Sequence, residues 1–377
     1  MKIVHFCPSY VDLDRETGGV SNIVRQLALH SACFGMEVSL VCGNREMGRI
    51  CGPVGNFREK NLYMSVVDQF ANPLLGPIGN LKKLISELKQ PTIAHVHTCF
   101  SLFTETSLYH LHRAGIPIVF TPHGKLTSTV MRNRGILKSL WWKLFAKRRV
   151  SSASKIVASS PSEAAHIVQM IGPGVDVEAI PNGFQRFLAP TGDRMFAEPY
   201  ILFLGYLDPR KQPSFLLKAF QASEARHSHK LVFVGPDAFG QRHDLEKQTR
   251  ESGLSDKVIF YGSAYGKEKW NLLQNASCMC LPSIGEGLPV VLTEAIGAQT
   301  PSIASVFCNF EHIAKTGVGV TLNGFSCTEW ASAIDRVCLN QQAGEAMRDA
   351  CRVQSSKFEW SAITSLWIDK YKETLGA

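Results

Sequence analysis

The feature that most limits what this chain can fold into is an alternation that runs its whole length. Short apolar runs of strand length are each followed by an amphipathic segment of helix length. Residues 3–6, 38–41, 93–96, 116–120 and 156–158 read as buried strands, and 20–32, 78–88 and 102–113 between them have helical spacing. Such an alternation predicts parallel sheets with helices on both faces. The pattern breaks after Asn182, and residues 183–199, with Gly and Pro and little periodicity, read as a linker. It then restarts, with strands expected at 200–204, 230–234, 258–261, 278–281, 302–304 and 319–322. Trp360, Ile363, Leu366, Trp367, Tyr371 and Leu375 recur at three- and four-residue spacing, one apolar stripe on a terminal helix. The expectation is an α/β chain of two doubly wound, Rossmann-like domains facing across a cleft. Ligands of such sheets sit at the carboxyl ends of the strands.

A length of 377 residues fits two domains or one large one, and 45% hydrophobic with 19% charged residues fits a packed soluble protein. No stretch approaches 18 uninterrupted apolar residues, so no spanning helix is expected. The first eight residues are apolar for too short a run to be a signal peptide and read as a strand. The eleven cysteines are scattered, and Cys278-Met279-Cys280 lacks the two-residue spacer of a zinc or redox pair. They are expected to be reduced thiols in a cytoplasmic protein. The formal charge of +8 is unevenly placed: residues 1–182 carry 20 basic and 12 acidic side chains, residues 183–377 carry 20 of each.

Two segments carry chemistry. The first, 282–295, follows an expected strand and opens a helix with Gly285, Glu286, Gly287, Leu288, Pro289 and Val290. The glycines leave room for a ligand against the backbone, and the amides from Gly287 to Val290 would form a helix N-terminus suited to a diphosphate. Glu286 precedes the helix and Glu294 lies about two turns along it, so the two carboxylates could hold hydroxyls at opposite ends of one extended ligand. The plain alternative is a Gly-Pro turn that caps a core helix, with two solvated glutamates. The second segment, Gly205-Tyr206-Leu207-Asp208-Pro209-Arg210-Lys211, is again strand end, glycine and loop. Arg210 and Lys211 would add a planar fork and a point charge to an anion site. Taken alone, they are equally an exposed basic pair.

With these residues in view, the chain resembles the family-4 retaining glycosyltransferases, which have the GT-B fold and belong to glycosyltransferase group 1. The resemblance rests on Glu286 and Glu294 in EGLPVVLTEA, and on motifs in order elsewhere: Thr17-Gly18-Gly19-Val20, His95-Val96-His97, Thr121-Pro122-His123-Gly124, Ile180-Pro181-Asn182-Gly183 and Phe358-Glu359-Trp360. It implies an acceptor-binding domain over 1–182, a linker over 183–199, a donor-binding domain over 200–358, and a helix over 359–377 that crosses back to the first domain. It also implies a nucleotide-sugar donor, a lipid-linked or glycan acceptor, and no metal or other cofactor. By the same resemblance Glu294 binds the ribose hydroxyls, Glu286 lies near the sugar, His123 hydrogen-bonds the sugar, and Lys211 neutralises the leaving diphosphate. Gly18, Gly19, Gly205, Gly287, Leu288 and Val290 let the backbone approach the donor. One departure stands out: Tyr206 occupies the place where the family usually has an arginine, and Arg210 is the candidate substitute.

Other signals stay open. His95 and His97 share one strand face and would serve a metal or a structural role, with no third ligand evident in sequence. Asp12-Leu13-Asp14 looks like the metal-binding DxD of another glycosyltransferase fold, or a turn. Residues 131–150 (MRNRGILKSLWWKLFAKRRV) hold seven basic side chains and no acidic one. Ile136, Leu137, Leu140, Trp141, Leu144 and Phe145 cover one side of the expected helix. It suits an anionic membrane surface, which would place the protein at the inner face of the cytoplasmic membrane, or it packs inward with solvated lysines. The competing functions are a non-catalytic or weakly active nucleotide-sugar binder, suggested by Tyr206, and another GT-B enzyme such as an epimerase or phosphorylase. Nucleic-acid binding is not expected, because no known module surrounds the basic stripe.

Overall fold

A computed structural model of the chain describes residues 1–13, 19–46, 49–50, 55–59, 62–67, 78–88, 91–127, 140–187 and 195–376. The chain forms two compact units, Met1–Asn182 with Trp360–Ala377, and Gly183–Glu359. In chain order the strands of the first are β1 (Lys2–Cys7), β2 (Glu37–Gly43), β3 (Arg45–Glu46), β4 (Arg49–Ile50), β5 (Gly55–Glu59), β6 (Leu62–Val67), β7 (Thr92–His97), β8 (Ile118–Thr121), β9 (Lys155–Ala158) and β10 (Val177–Ala179). Eight of them form one sheet in the order β10-β9-β8-β7-β1-β2-β6-β5, parallel except for β5 against β6. The antiparallel β5–β6 pair was not expected from sequence. Its signal was the period-two burial of Leu62, Met64 and Val66, with Tyr63 exposed between them.

The second unit adds β11 (Tyr200–Leu204), β12 (Lys230–Val234), β13 (Val258–Gly262), β14 (Cys278–Leu281), β15 (Ser302–Ser305) and β16 (Gly319–Leu322), in the all-parallel order β13-β12-β11-β14-β15-β16. Central strands such as β7, β11 and β14 are buried at every position because helices cover both faces. In each sheet the strand order reverses beside the first strand, between β1 and β7 and between β11 and β14. These are the topological switch points, where crevices open beyond the carboxyl ends of the strands.

Local chemistry sets the helix ends. Ser101 Oγ accepts the Thr104 amide at 3.1 Å to start the helix Leu102–Arg113. Ser160 Oγ does the same for Glu163, with Pro161 in the first turn of Pro161–Ile171. The terminal helix Trp360–Leu375 packs on the first unit through Trp360, Ile363, Thr364, Trp367, Ile368 and Tyr371. Leu366, expected in its apolar stripe, is 49% exposed, and Ile368 takes its place in the 3-4 rhythm. Lys155 holds this helix by an ion pair to Glu373 at 3.1 Å, and Lys370 pairs back to Glu178 at 2.6 Å. The ten described cysteines are free thiols, most of them buried.

Candidate functional site

In the second unit the loops after β11 and β14 meet. Ile284 N–H donates to the Arg210 carbonyl at 2.8 Å, and Glu286 N–H donates to the Phe307 carbonyl at 3.0 Å. Lys211 Nζ lies 2.6 Å from Glu286 Oε1, which also accepts from Ser283 Oγ at 2.9 Å. Asn309 Nδ2 donates to the Glu286 carbonyl at 2.6 Å and fixes the backbone of the same loop. Gly205 makes room for the cation: its φ is +142°, and a Cβ there would press on Lys211 Cδ and Cε at 3.3 Å. Gly235 is also required, because a Cβ on it would sit 1.9 Å from the Gly205 carbonyl oxygen.

The helix Val290–Gly297 begins later than expected, with Pro289 as its N-cap residue. Gly287 and Leu288 therefore belong to the preceding loop, and Glu294 stands about one turn into the helix, not two. Glu294 Oε1 pairs with Lys269 Nζ at 2.8 Å, and both side chains are largely buried. Arg210 is held by Asp208: its guanidinium grips the Asp208 carboxylate, and its amide donates to Asp208 Oδ1 at 2.8 Å. Burial would raise the Asp208 carboxyl, but these Arg210 contacts outweigh it and hold it below the usual value. The Tyr206 carbonyl accepts the Asp208 amide at 2.8 Å. Beside this loop a cavity of about 300 Å³ is lined by Leu207, Phe233, Gly235, Arg242, Phe260 and Gly262. The Arg242 guanidinium lies over the Phe260 ring, 5.8 Å from its centre.

In the first unit four histidines gather at the β1–β7 switch point. β1 and β7 pair in register with His5 opposite His95, and β7 and β8 with His97 opposite Thr121. Residues i and i+2 share a strand face, so His95 and His97 fall beside His5. His5 Nδ1 is 3.0 Å from His97 Nε2, and His97 Nδ1 is 3.0 Å from His123 Nε2. His95 is engaged at both nitrogens, by Tyr371 Oη at 2.7 Å and Thr121 Oγ1 at 2.9 Å. Sequence offered no third partner for His95 and His97; the structure supplies His5. The nitrogens of His5, His95 and His97 lie within 4.8 Å of one another, the spread of a metal donor set, but His95 is already satisfied by two hydroxyls.

Burial lowers His5 and His123 to about 3 and holds His95 and His97 well below the ordinary value. All four are therefore neutral at pH 7. His123 has φ +51°, a left-handed backbone uncommon for a residue with a side chain. Its turn is held by Glu163, whose buried carboxylate accepts the Gly124 and Ser159 amides and the Ser159 hydroxyl. Gly19 begins the helix Gly19–Cys33 with φ +33°. Asp14, Thr17 and Gly18 lie outside the described residues, as do 131–139 of the basic segment.

Two family models divide the chain. "Glycosyltransferase Family 4" matches residues 17–185 and "Glycosyl transferases group 1" matches residues 196–354. The chain belongs to the family-4, group 1 glycosyltransferases. The D-inositol 3-phosphate glycosyltransferase of Mycobacterium tuberculosis is 23% identical over 99% of this chain and 82% of its own. Among solved structures, the sucrose-phosphate synthase of Thermosynechococcus elongatus superposes with a TM-score of 0.79 at 19% identity, covering 100% of both chains. Anabaena HepE, solved in complex with UDP and glucose, superposes with a TM-score of 0.76 at 17% identity over 99% of this chain and 100% of its own. The fold is GT-B.

On this glycosyltransferase the basic segment is described from Leu140 onward. A π-helical turn, Trp142–Ala146, leads into the helix Lys147–Val150. Trp142, Ala146 and Val150 face the core, whereas Leu140, Leu144 and Phe145 are exposed at 49%, 61% and 47%. Three apolar side chains thus share the outer face with Lys143, Lys147 and Arg148. Arg149 instead faces the buried Glu105 carboxylate at 3.5 Å. No helix among the described residues is long and apolar enough to cross a membrane. Sequence reasoning passed over His5, Glu163, Asp208 and Lys269. Each acts through a partner distant in the chain or, for Asp208, through a loop whose shape no spacing rule predicts.

Proposed function

We propose that this glycosyltransferase moves a sugar from a nucleoside diphosphate donor to a lipid-linked or surface-glycan acceptor, with retention at the anomeric carbon. The observation that carries the donor half is the Lys211–Glu286 pair at the β11–β14 switch point, with Gly205 leaving room for the Lys211 side chain. Expelling a nucleoside diphosphate builds negative charge on the leaving group and positive charge on the sugar. An ammonium aimed at the first is worth about 3–4 kcal/mol in such sites. Lys211 takes that part, and Glu286 the sugar side.

Glu294 would receive the ribose hydroxyls, with Lys269 fixing its orientation. The base would enter the cavity between Leu207 and Arg242, next to the 262–265 loop. His123 would hydrogen-bond the sugar, Gly18 and Gly19 would admit it, and Leu288 and Val290 would supply amides toward the diphosphate. Arg210 contributes charge nearby while held by Asp208. The reading requires no metal. HepE, solved with UDP and glucose, supports a nucleotide-sugar donor.

The acceptor half rests on the exposed Leu140, Leu144 and Phe145 among Lys143, Lys147 and Arg148, a face suited to an anionic membrane. A second reading, a small phosphorylated acceptor in solution, is favoured by the name of the D-inositol 3-phosphate glycosyltransferase.

One experiment addresses both halves. UDP-, GDP- and ADP-sugars are screened for thermal stabilisation, and binding to phosphatidylglycerol vesicles is measured with and without charge reversal at Lys143, Lys147 and Arg148. One nucleotide class should raise the melting temperature. At about 1 kcal/mol per basic side chain, vesicle affinity should fall roughly a hundredfold in the triple variant. Stabilisation by none of the donors would sink the donor reading. Vesicle binding indifferent to the reversal would leave the phosphorylated-acceptor reading in place.

A further inference from the structure

The loops after β14 and β15 are stitched together around Glu286. Ser305 Oγ donates to the Ser283 carbonyl, Glu286 N–H donates to the Phe307 carbonyl at 3.0 Å, and Asn309 Nδ2 donates to the Glu286 carbonyl at 2.6 Å. Both main-chain polar groups of Glu286 are therefore committed to the loop after β15. Asn309 reaches its place through an uncommon backbone: it ends the 3-10 turn Val306–Cys308 with φ +53°, in the left-handed region. Gly, Asn and Asp tolerate that region best. Of the three, only Asn carries a side-chain N–H to give to a carbonyl at neutral pH.

This bond has a consequence one peptide further on. In a trans peptide the C=O and the N–H that follows it point in opposite directions. Holding the Glu286 C=O on Asn309 therefore turns the Gly287 N–H away from the loop after β15. That N–H meets no acceptor among the described residues, and Gly287 is only half-buried, so the group is open to a ligand. Glu286, the residue before it, offers a carboxylate. A donor and an acceptor from consecutive residues complement a hydroxyl, which accepts and donates at once. They do not suit a phosphate oxygen, which only accepts and is repelled by the carboxylate.

We infer that Asn309 is a positioning residue: it holds the 286–287 peptide so that the Gly287 N–H and the Glu286 carboxylate meet one hydroxyl of the donor sugar. The identity of the ligand rests on the nucleotide-sugar reading above. In that reading Lys211 takes the diphosphate, so the two halves of the donor are met by different groups. Affinity measurements can separate them.

The test compares the parent with Asn309→Gly, which keeps the left-handed backbone without the amide, and Asn309→Asp, which keeps the size without the N–H. Each is titrated calorimetrically with the nucleotide sugar selected by the thermal screen and with the nucleoside diphosphate that this donor contains. Both variants should bind the nucleotide sugar about tenfold more weakly, the scale of one lost hydrogen bond. Both should bind the nucleoside diphosphate as the parent does, which also reports that they are folded. Weakening of both ligands together would make Asn309 a residue of the fold alone and overturn the inference. So would unchanged affinity for the nucleotide sugar, or a loss in Asn309→Gly that Asn309→Asp does not share. If the screen selects no donor for the parent, the nucleotide-sugar reading fails and the inference falls with it.

Discussion

At the β1–β7 switch point the first unit buries four neutral imidazoles; at the β11–β14 switch point the second buries ion pairs. Both crevices arise from the same topology, yet their polar groups are satisfied by different means. The histidines share protons in hydrogen bonds of 2.7–3.0 Å and carry no net charge. Lys211–Glu286 and Lys269–Glu294 hold full charges at 2.6 and 2.8 Å. An ion pair can exchange one partner for a charged ligand, so under the proposed function the second crevice would trade Glu286 for phosphate oxygens on Lys211. A neutral hydrogen-bonded line has no such charge to trade and is suited to orienting a polar, uncharged group.

The sharpest way to break this contrast is Lys211→Ala. If the ammonium faces the leaving diphosphate, kcat should fall by roughly 10²–10³, measured at saturating donor. The melting temperature should change little, because Glu286 keeps Ser283 as a partner. A fall confined to stability would place Lys211 among the structural ion pairs. The next largest effect concerns Glu294. It is paired with a largely buried Lys269, so Glu294→Ala should cost stability as well as donor binding, on the order of 3 kcal/mol. The double variant Lys269→Met with Glu294→Leu removes both charges and should recover most of that stability while still failing to bind donor. Recovery of donor affinity in the double variant would show that Glu294 serves the fold alone.

The two crevices also differ in how far sequence disclosed them. Lys211 and Glu286 were legible because each sits in a glycine-bearing loop between a strand and a helix, and Glu294 because it follows the second of these loops at a fixed spacing. Their partners were not. Lys211 meets Glu286 across 75 positions, Lys269 meets Glu294 across 25, and His5 meets His97 across 92. Only the sheet register brings the last pair together, and register follows from three-dimensional pairing that no local spacing encodes. Arg210 illustrates the converse. Its nearness to Lys211 suggested a shared phosphate role, and what sequence did not show is that Asp208, two residues back, holds its guanidinium. The basic segment was legible in composition, and its sequence left the orientation open between a membrane-facing and an inward-packed helix. The apolar arc read from sequence faces outward over Leu140, Leu144 and Phe145, and the buried stripe is Trp142, Ala146 and Val150, set by the π-helical turn.

The last contrast is a pH dependence that should separate the two units within one molecule. His5, His95 and His97 are fully buried and their folded pKa values are depressed, His5 to about 3, against about 6.5 when unfolded. Between those values the unfolded chain binds protons that the folded unit refuses, so stability is complete above about pH 6.5 and is lost as pH falls below it. The limiting slope is about 1.4 kcal/mol per pH unit for each such histidine. The second crevice holds no such histidine among its described groups, and its Asp208, held below the usual carboxylate value by Arg210, keeps its charge to lower pH. Hydrogen exchange at pH 7.5 and 5.5, corrected for intrinsic rates, should therefore show β1, β7 and β8 losing protection while β11 and β14 keep theirs. Equal loss in both sheets would mean that acid acts on the chain as a whole, and that the neutral histidines are not what distinguishes the first crevice from the second.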